Sequence, residues 1–342
     1  MKAVVYEKPE TFAIKEVPYP TCGQNDVIIK VVACGMCKTD VHIHHGRFIS
    51  KFPLIPGHEF AGTVAEVGSN VTDFNVGDRV TGDNTVLCGY CYYCRRDQPL
   101  YCENFFSRGV TASGGFAEYI VVGHDKVFHV PDSLSFEEAS MTEPTACVMH
   151  GMDVMDVRPG DHVLLFGCGP TGIVLAQMIK HCGAAKLVVA DHGQFKLDLV
   201  RKLGADDTVL VDRRDSSVAR KKIGNLEPRG FDIIIDATGN PDVLQQCFEY
   251  AKKGSKIVIY GVCPEEAKIT LSPYEIFQNE YKILGSFAQT HCFDRAIDAL
   301  GNGVVKVKDM FTHILSLEEY GRALDTVSKP GKKIKVVIRP SQ

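Results

Sequence analysis

Four cysteines crowd into one short stretch, Cys88-Gly89-Tyr90-Cys91-Tyr92-Tyr93-Cys94 and then Cys102, in the pattern C-x2-C-x2-C-x7-C. Thiolates this close along a chain can wrap one Zn2+ tetrahedrally, so the lobe needs no hydrophobic core of its own. A redox C-x-x-C pair is the other chemistry such spacing allows, but it does not need four cysteines. A closed four-sulfur shell leaves no open coordination position, and this zinc is expected to be structural. A second set of residues differs in kind. Gly57-His58-Glu59 places an imidazole beside a carboxylate, with a thiolate candidate upstream at Cys37 and a carboxylate candidate downstream at Glu143. We read Cys37, His58 and Glu143 as ligands of a catalytic zinc, which takes about three protein ligands and keeps one position open. Such a zinc lowers the pKa of an oxygen it polarises, so that an alcohol can lose its proton near neutral pH. Spacing alone does not bring these three together; the fold must.

A third motif points to a nucleotide. His162-Val163-Leu164-Leu165-Phe166 is a continuous apolar run of the kind that forms a strand buried on both faces. Gly167-Cys168-Gly169-Pro170-Thr171-Gly172 follows at once and opens a helical stretch beginning at Ile173. A G-x-G-x-x-G is specific only in this strand–turn–helix context with an acidic residue about 20 positions on. Asp191 ends the next apolar run, Lys186-Leu187-Val188-Val189-Ala190. Gly167 permits the tight turn, Gly169 a close approach of pyrophosphate, and Gly172 close helix–strand packing. Asp191 is expected to hold the adenosine ribose hydroxyls and to repel a 2′-phosphate, which favours NAD over NADP. His192 and Lys196 lie near enough in sequence to offset that repulsion, so NADP stays open.

The elements that must position these residues follow from pattern. Residues 1 to about 85 carry short strand-like runs punctuated by Gly and Pro, such as Val27–Ala33, Thr63–Val67 and the turn-strand Gly77–Thr81. These suggest a barrel-like β domain with few helices. Gly114–Val122 returns to strand pattern, and Ser135 with Glu138 three residues on reads as a capping box opening a helix. Beyond Pro159 the texture changes to alternating strands and helices, the signature of a parallel sheet covered on both faces. Further strands are expected at Thr208–Val211, Phe231–Asp236 and Ser255–Gly261, with a helix over Asp242–Ala251. After Phe287 the alternation ends in helices around Asp294–Leu300 and Leu317–Ser328 and a last strand, Ile334–Ile338.

The bulk properties exclude other classes. With 38 basic and 42 acidic residues the net charge is −4, which argues for neither a nucleic-acid surface nor a polybasic membrane anchor. No apolar run approaches the roughly 20 residues that span a bilayer, and the strand-like start Met1–Tyr6 lacks the features of a signal peptide. Thirteen cysteines in such a chain suit metal ligation and free thiols in the cytoplasm better than a disulfide framework.

Along essentially its whole length the chain resembles the zinc-dependent medium-chain dehydrogenases/reductases. The resemblance is carried by Gly57-His58-Glu59, the four-cysteine lobe, the Gly167–Gly172 fingerprint and the ending Lys332-Lys333-Ile334-Lys335-Val336. Glu143-Pro144 is similar to the Glu-Pro of the polyol branch, the sorbitol, xylitol and arabinitol dehydrogenases. The resemblance implies an α/β architecture: a GroES-like, β-barrel-type catalytic domain over 1–146 and 287–342, and a Rossmann doubly wound parallel sheet over 147–286. It implies one catalytic zinc, on Cys37, His58 and Glu143, and one structural zinc per chain. Glu59 would ligate directly or through water, or serve only to orient a ligand. Thr39 would relay the substrate proton toward the cofactor ribose. His42 would pass it to solvent, unless it is a surface histidine, as His44 and His45 are expected to be. Lys335 would stand near the pyrophosphate. The implied reaction is hydride transfer between a secondary hydroxyl of a small polyol and NAD(P), interconverting polyol and ketose, in a homo-tetramer or a dimer. One departure matters: sorbitol dehydrogenases carry a substrate-binding arginine where this chain has Ala288. A broader secondary-alcohol dehydrogenase or ketone reductase therefore stays open, as do a zinc-free reductase and a non-catalytic nucleotide binder on the same scaffold.

Overall fold

A computed structural model of the chain describes residues 1–212 and 214–341. The chain forms two compact units, one of Met1–Ala146, Gln289–Gly303 and Val307–Gln342, the other of Cys147–Ala288 and Val304–Lys306.

The first unit is built on a seven-stranded sheet. Its order runs Phe311–Ser316, Lys335–Arg339, Asp26–Met36, Glu59–Val67, Arg79–Gly82, Val127–His129, with Tyr119–Gly123 also paired to Asp26–Met36. Asp26–Met36 is the hub. It is 11 residues long and buried along nearly its whole length, so it reads as an apolar run and not as an alternation. Register shifts at Ile28/Ile29 and Val31/Ala33 bend it. The bend lets its first half pair with Tyr119–Gly123 and its last residues, Cys34, Gly35 and Met36, pair with Ile338, Val337 and Val336. Val4, Tyr6, Phe60, Phe116 and Tyr320 belong to the core packed against this sheet.

The second unit holds six parallel strands in the order Asp207–Leu210, Lys186–Asp191, His162–Phe166, Phe231–Asp236, Ala251–Ile259, Lys282–Gly285. In chain order this is 3-2-1-4-5-6, the doubly wound arrangement whose order reverses beside the first strand. The apolar run His162–Phe166 is that first strand, and its last four residues are buried.

Several elements depart from the sequence reading. The sixth strand, Lys282–Gly285, was not foreseen; it lies at the sheet edge and is largely exposed, so it carries no apolar signature. The helix expected over Asp242–Ala251 stops earlier, as Pro241–Cys247 with a 3-10 turn to Tyr250, because Ala251 already starts a strand. Ser135 and Glu138 do form a capping box, but on a single turn, Phe136–Ala139; the long helix is Thr142–Met155. A helix within the β-rich region, Lys38–His44, was also missed; at 7 residues it is too short to show a periodicity. Among the described residues, no helix is long and apolar enough to cross a membrane.

Candidate active site

The helix Lys38–His44 begins on Cys37, whose backbone N–H donates to Asp40 Oδ2 at 2.8 Å. His58 and Glu59 sit at the entry to the strand Glu59–Val67. Sheet register brings that strand to the end of Asp26–Met36, with Glu59 opposite Gly35. One ligand atom from each of Cys37, His58 and Glu59 then lies within 4.8 Å of the others, and His58 and Glu59 are buried. A thiol, an imidazole and a carboxylate this close fit a zinc site of mixed donors.

Asp40, which the sequence reading passed over, backs the histidine. It is fully buried, and its Oδ1 lies 3.8 Å from His58 Nδ1. Neither atom has a hydrogen-bond partner among the described residues. The gap is longer than a hydrogen bond, so here the carboxylate acts on the imidazole through its charge; a small shift would make the bond that orients a metal-binding imidazole. Burial pushes the Asp40 carboxyl up to about 6, against the pull of His58. His58 shows the opposite balance: burial works to lower it, but Asp40, Cys37 and Glu143 outweigh this and hold it well above its ordinary value. The available signal for Asp40 was its place three residues after Cys37, where an acidic group caps a helix start.

Glu59 is ion-paired with Lys335, and both side chains are almost wholly buried, at 1% and 2% exposure. The pair meets over Gly35, where a Cβ would lie 2.0 Å from Glu59 Oε2 and 2.8 Å from Lys335 Cε. Burial acts to lower the Lys335 pKa, but Glu59, Cys37 and Glu143 more than reverse it, so the ammonium stays charged. Lys335 was expected beside a pyrophosphate; the structure gives it Glu59 as a buried partner, which the sequence reading did not foresee. Glu143 was expected in the ligand set. It stands at the start of Thr142–Met155, outside the tight trio, and the carboxylate inside the trio is that of Glu59. The charge of Glu143 still reaches both His58 and Lys335. Thr39 Oγ1 lies 3.5 Å from Cys37 Sγ. His42 is half-buried, and burial, with help from Lys38 and Arg47, holds it below its ordinary value. His44 is not the surface histidine expected: its Nδ1 is hydrogen-bonded to the buried Tyr6 hydroxyl at 2.9 Å. His45 is exposed and pairs with Glu10.

The four-cysteine lobe gathers as its spacing suggests. One sulfur from each of Cys88, Cys91, Cys94 and Cys102 lies within 4.8 Å of the rest. Backbone N–H groups are turned onto the sulfurs, Cys88 N to Cys102 Sγ and Cys91 N to Cys88 Sγ, both at 3.3 Å. Burial raises the Cys88 thiol, but N–H donors from Asn104 and from the Tyr90 and Cys91 backbone draw it down to about 6. Cys94 is pushed up to about 12 by burial and by its neighbour Cys91. Four like donors at this spacing fit a closed structural zinc.

In the second unit, Gly167 turns the chain after the first strand with φ +101°, a conformation that favours glycine. A Cβ on Gly172 would lie 2.1 Å from Gly167 O, so the helix packs directly on that turn. Gly169 caps the helix Pro170–His181, with Pro170 in its first turn, and the space beside its Cα is open. That opening is where a pyrophosphate can reach the backbone and the helix N-terminus. Asp191 is buried at the end of the second strand. Its Oδ2 accepts from Cys168 N and its Oδ1 from Gly193 N, each at 2.7 Å. It therefore also ties down the glycine turn, a task the sequence did not reveal. His192 Nδ1 and Lys196 Nζ lie 3.5 and 4.0 Å from Asp191 Oδ1.

Comparison with known proteins agrees with this geometry. Residues 23–132 match the model of the alcohol dehydrogenase GroES-like domain, and residues 170–302 that of the zinc-binding dehydrogenases. The chain is 42% identical to D-arabinitol dehydrogenase 1 of Uromyces fabae, over 100% of this chain and 97% of the relative. It is 32% identical to sorbitol dehydrogenase of Bacillus subtilis (strain 168), over 100% and 98%. A crystal structure of a zinc-binding dehydrogenase from Sinorhizobium meliloti 1021, bound to NADP, superposes with a TM-score of 0.93 at 32% identity, covering 99% of both chains. A GroES-like first unit, a six-stranded parallel Rossmann-type sheet and these relatives together place the chain in the zinc-binding medium-chain dehydrogenase/reductase family, as an NAD(P)-linked alcohol/polyol dehydrogenase-type enzyme.

Proposed function

We propose that the chain oxidises a secondary hydroxyl of a small polyol, of the arabinitol, xylitol or sorbitol kind, to a ketone, and catalyses the reverse reduction. The observation that carries this is the trio of half-buried Cys37 and buried His58 and Glu59, with the charge of Glu143 reaching it. Zinc held there supplies the Lewis acidity that makes a hydroxyl proton easy to remove. The chain's own groups do the rest. Asp40 orients His58, and Lys335 balances the charge of Glu59. Thr39, beside Cys37, offers a hydroxyl that can hand the substrate proton on. His42, neutral near pH 7 because burial lowers its pKa, can accept it and release it to solvent. Gly167, Gly169, Pro170, Thr171 and Gly172 seat the cofactor diphosphate, and Asp191 takes the ribose hydroxyls. Its fixed negative charge favours NAD, with Lys196 and His192 the residues that would admit NADP. A panel of pentitols, hexitols and simple secondary alcohols, run with NAD and with NADP and with zinc chelated, tests this. Turnover that survives removal of all zinc overturns it.

A second reading, a broader secondary-alcohol dehydrogenase, is favoured by Ala288. It stands where sorbitol dehydrogenases carry an arginine, and its backbone is left-handed at φ +46°. Equal kcat/KM for butan-2-ol and for pentitols would select it. A cytoplasmic site suits thirteen cysteines of which none, among the described residues, is in a disulfide. We also infer a homo-oligomer, tetramer or dimer. The edge strand Lys282–Gly285 and its surroundings expose Phe277, Tyr274, Val262 and Ile283, an apolar set that a second copy would cover. Sedimentation analysis decides between monomer, dimer and tetramer.

A further inference from the structure

The helix Lys38–His44, with Cys37 at its start, is only 7 residues long. A helix this short does not hold itself in place; its position is set by what grips it. Its far end is gripped by Tyr6. The Tyr6 hydroxyl is hydrogen-bonded to His44 Nδ1 at 2.9 Å, from a ring that is 0% exposed. The same residue grips the other ligand-bearing segment through its backbone. Tyr6 N donates to Leu54 O at 2.8 Å, and Leu54 N donates to Tyr6 O at 2.9 Å, four residues before His58. One residue of the strand Lys2–Lys8 thus has one arm on the helix of Cys37 and the other on the approach to His58. We infer that Tyr6 is a positioning residue for the metal cluster, acting through its bond to His44 to set the separation of Cys37 from His58. The inference rests on the zinc reading above and assigns that site a support that neither its spacing nor its ligands disclose. Tyr320, whose hydroxyl is hydrogen-bonded to that of Tyr6 at 3.4 Å, also loses a hydroxyl on substitution by Phe but leaves the bond from Tyr6 to His44 in place, and so provides a control.

Tyr6→Phe removes the hydroxyl and keeps the ring and both backbone bonds. In the full-length protein as isolated, amides 41–45 should exchange severalfold faster, while the strand His162–Phe166 is unchanged. Competition with a chelator should show the inner zinc bound more weakly by roughly tenfold or more, as for other residues that orient ligands, with the four-cysteine zinc unaffected. Tyr320→Phe should leave both readouts as in the wild type. His44→Leu should match Tyr6→Phe, His44→Gln should restore part of the affinity, and the double variant Tyr6→Phe/His44→Leu should be no worse than either single one. A Tyr6→Phe protein that melts lower but keeps its inner-zinc affinity within about twofold would reduce Tyr6 to a packing residue. Equal losses for Tyr320→Phe and Tyr6→Phe would overturn the proposal too. If the wild-type chain binds no zinc at Cys37 and His58, the zinc reading falls; the exchange rates of amides 41–45 then still decide whether Tyr6 braces the helix.

Discussion

Cys88, Cys91, Cys94 and Cys102 fall within one loop, and the donors that turn toward their sulfurs come from that loop as well. Cys37, His58 and Glu59 are delivered by a helix start and a strand. They are braced by Asp40, by Tyr6 and, from the other end of the sequence, by Lys335. The first cluster has four like donors and, among the described residues, no buried carboxylate beside them. The second mixes three donor types and keeps two buried carboxylates and a buried ammonium close by. A closed shell of like ligands holds a lobe together and offers a substrate nothing. A mixed shell leaves room for chemistry, and the surrounding charges must then be held by the rest of the fold.

That contrast can be broken most directly at His58. His58→Ala should cost kcat about a thousandfold, on the order of 4 kcal/mol of transition-state stabilisation, and cut zinc content from two ions to one while the melting curve stays cooperative. Metal analysis beside steady-state kinetics checks this, and a loss confined to KM would count against it. Next in size is Lys335→Met, which takes the counter-charge from buried Glu59 and should destabilise the metal-free protein by about 3–5 kcal/mol. Adding Glu59→Gln should recover most of that loss in urea titrations; no recovery would mean the pair is not the unit described. On the other side of the comparison, Cys102→Ser should release the lobe's zinc and lower the Tm of the first unit by roughly 5–10 °C, since 1 kcal/mol moves Tm by about 2–4 °C for a body of about 150–250 residues. The folded remainder should keep its kcat, and a parallel collapse of turnover would erase the distinction between the clusters. The smallest effect is expected at His42. Burial holds its pKa below the ordinary value of 6.5, so it stays a proton acceptor as pH falls to and below 6.5, and loses that ability only when protonated. Its acid limb in kcat/KM should therefore lie below 6.5, and His42→Gln should remove that limb and lower kcat/KM by roughly tenfold, less than a direct general base contributes. An unchanged limb in the variant would release His42 from the proton path.

The same contrast explains what could be read from the sequence. The cysteine lobe and the glycine fingerprint were legible because each is complete within a few residues of chain. So were Cys37, His58 and Glu59 as reactive groups, though not which carboxylate would join the trio. Glu59 sits there because strand register sets it opposite Gly35, and register over long separations leaves no local mark. The pairing of Lys335 with Glu59 was hidden for the same reason: only the register of its strand with Asp26–Met36 brings the two together. His44 looked like a surface residue because its partner, Tyr6, lies 38 positions away on another strand. The exposed edge strand Lys282–Gly285 escaped because its residues are not sorted by burial.

The pairing of Lys335 with Glu59 spans 276 positions of chain. On a ribosome adding about 5–20 residues each second, the carboxylate is made roughly 15–55 s before its counter-charge exists. Until then the nascent first unit cannot bury that acid cheaply. This ion pair is thus among the contacts that must wait longest for both partners, whatever the order in which the rest of the first unit folds.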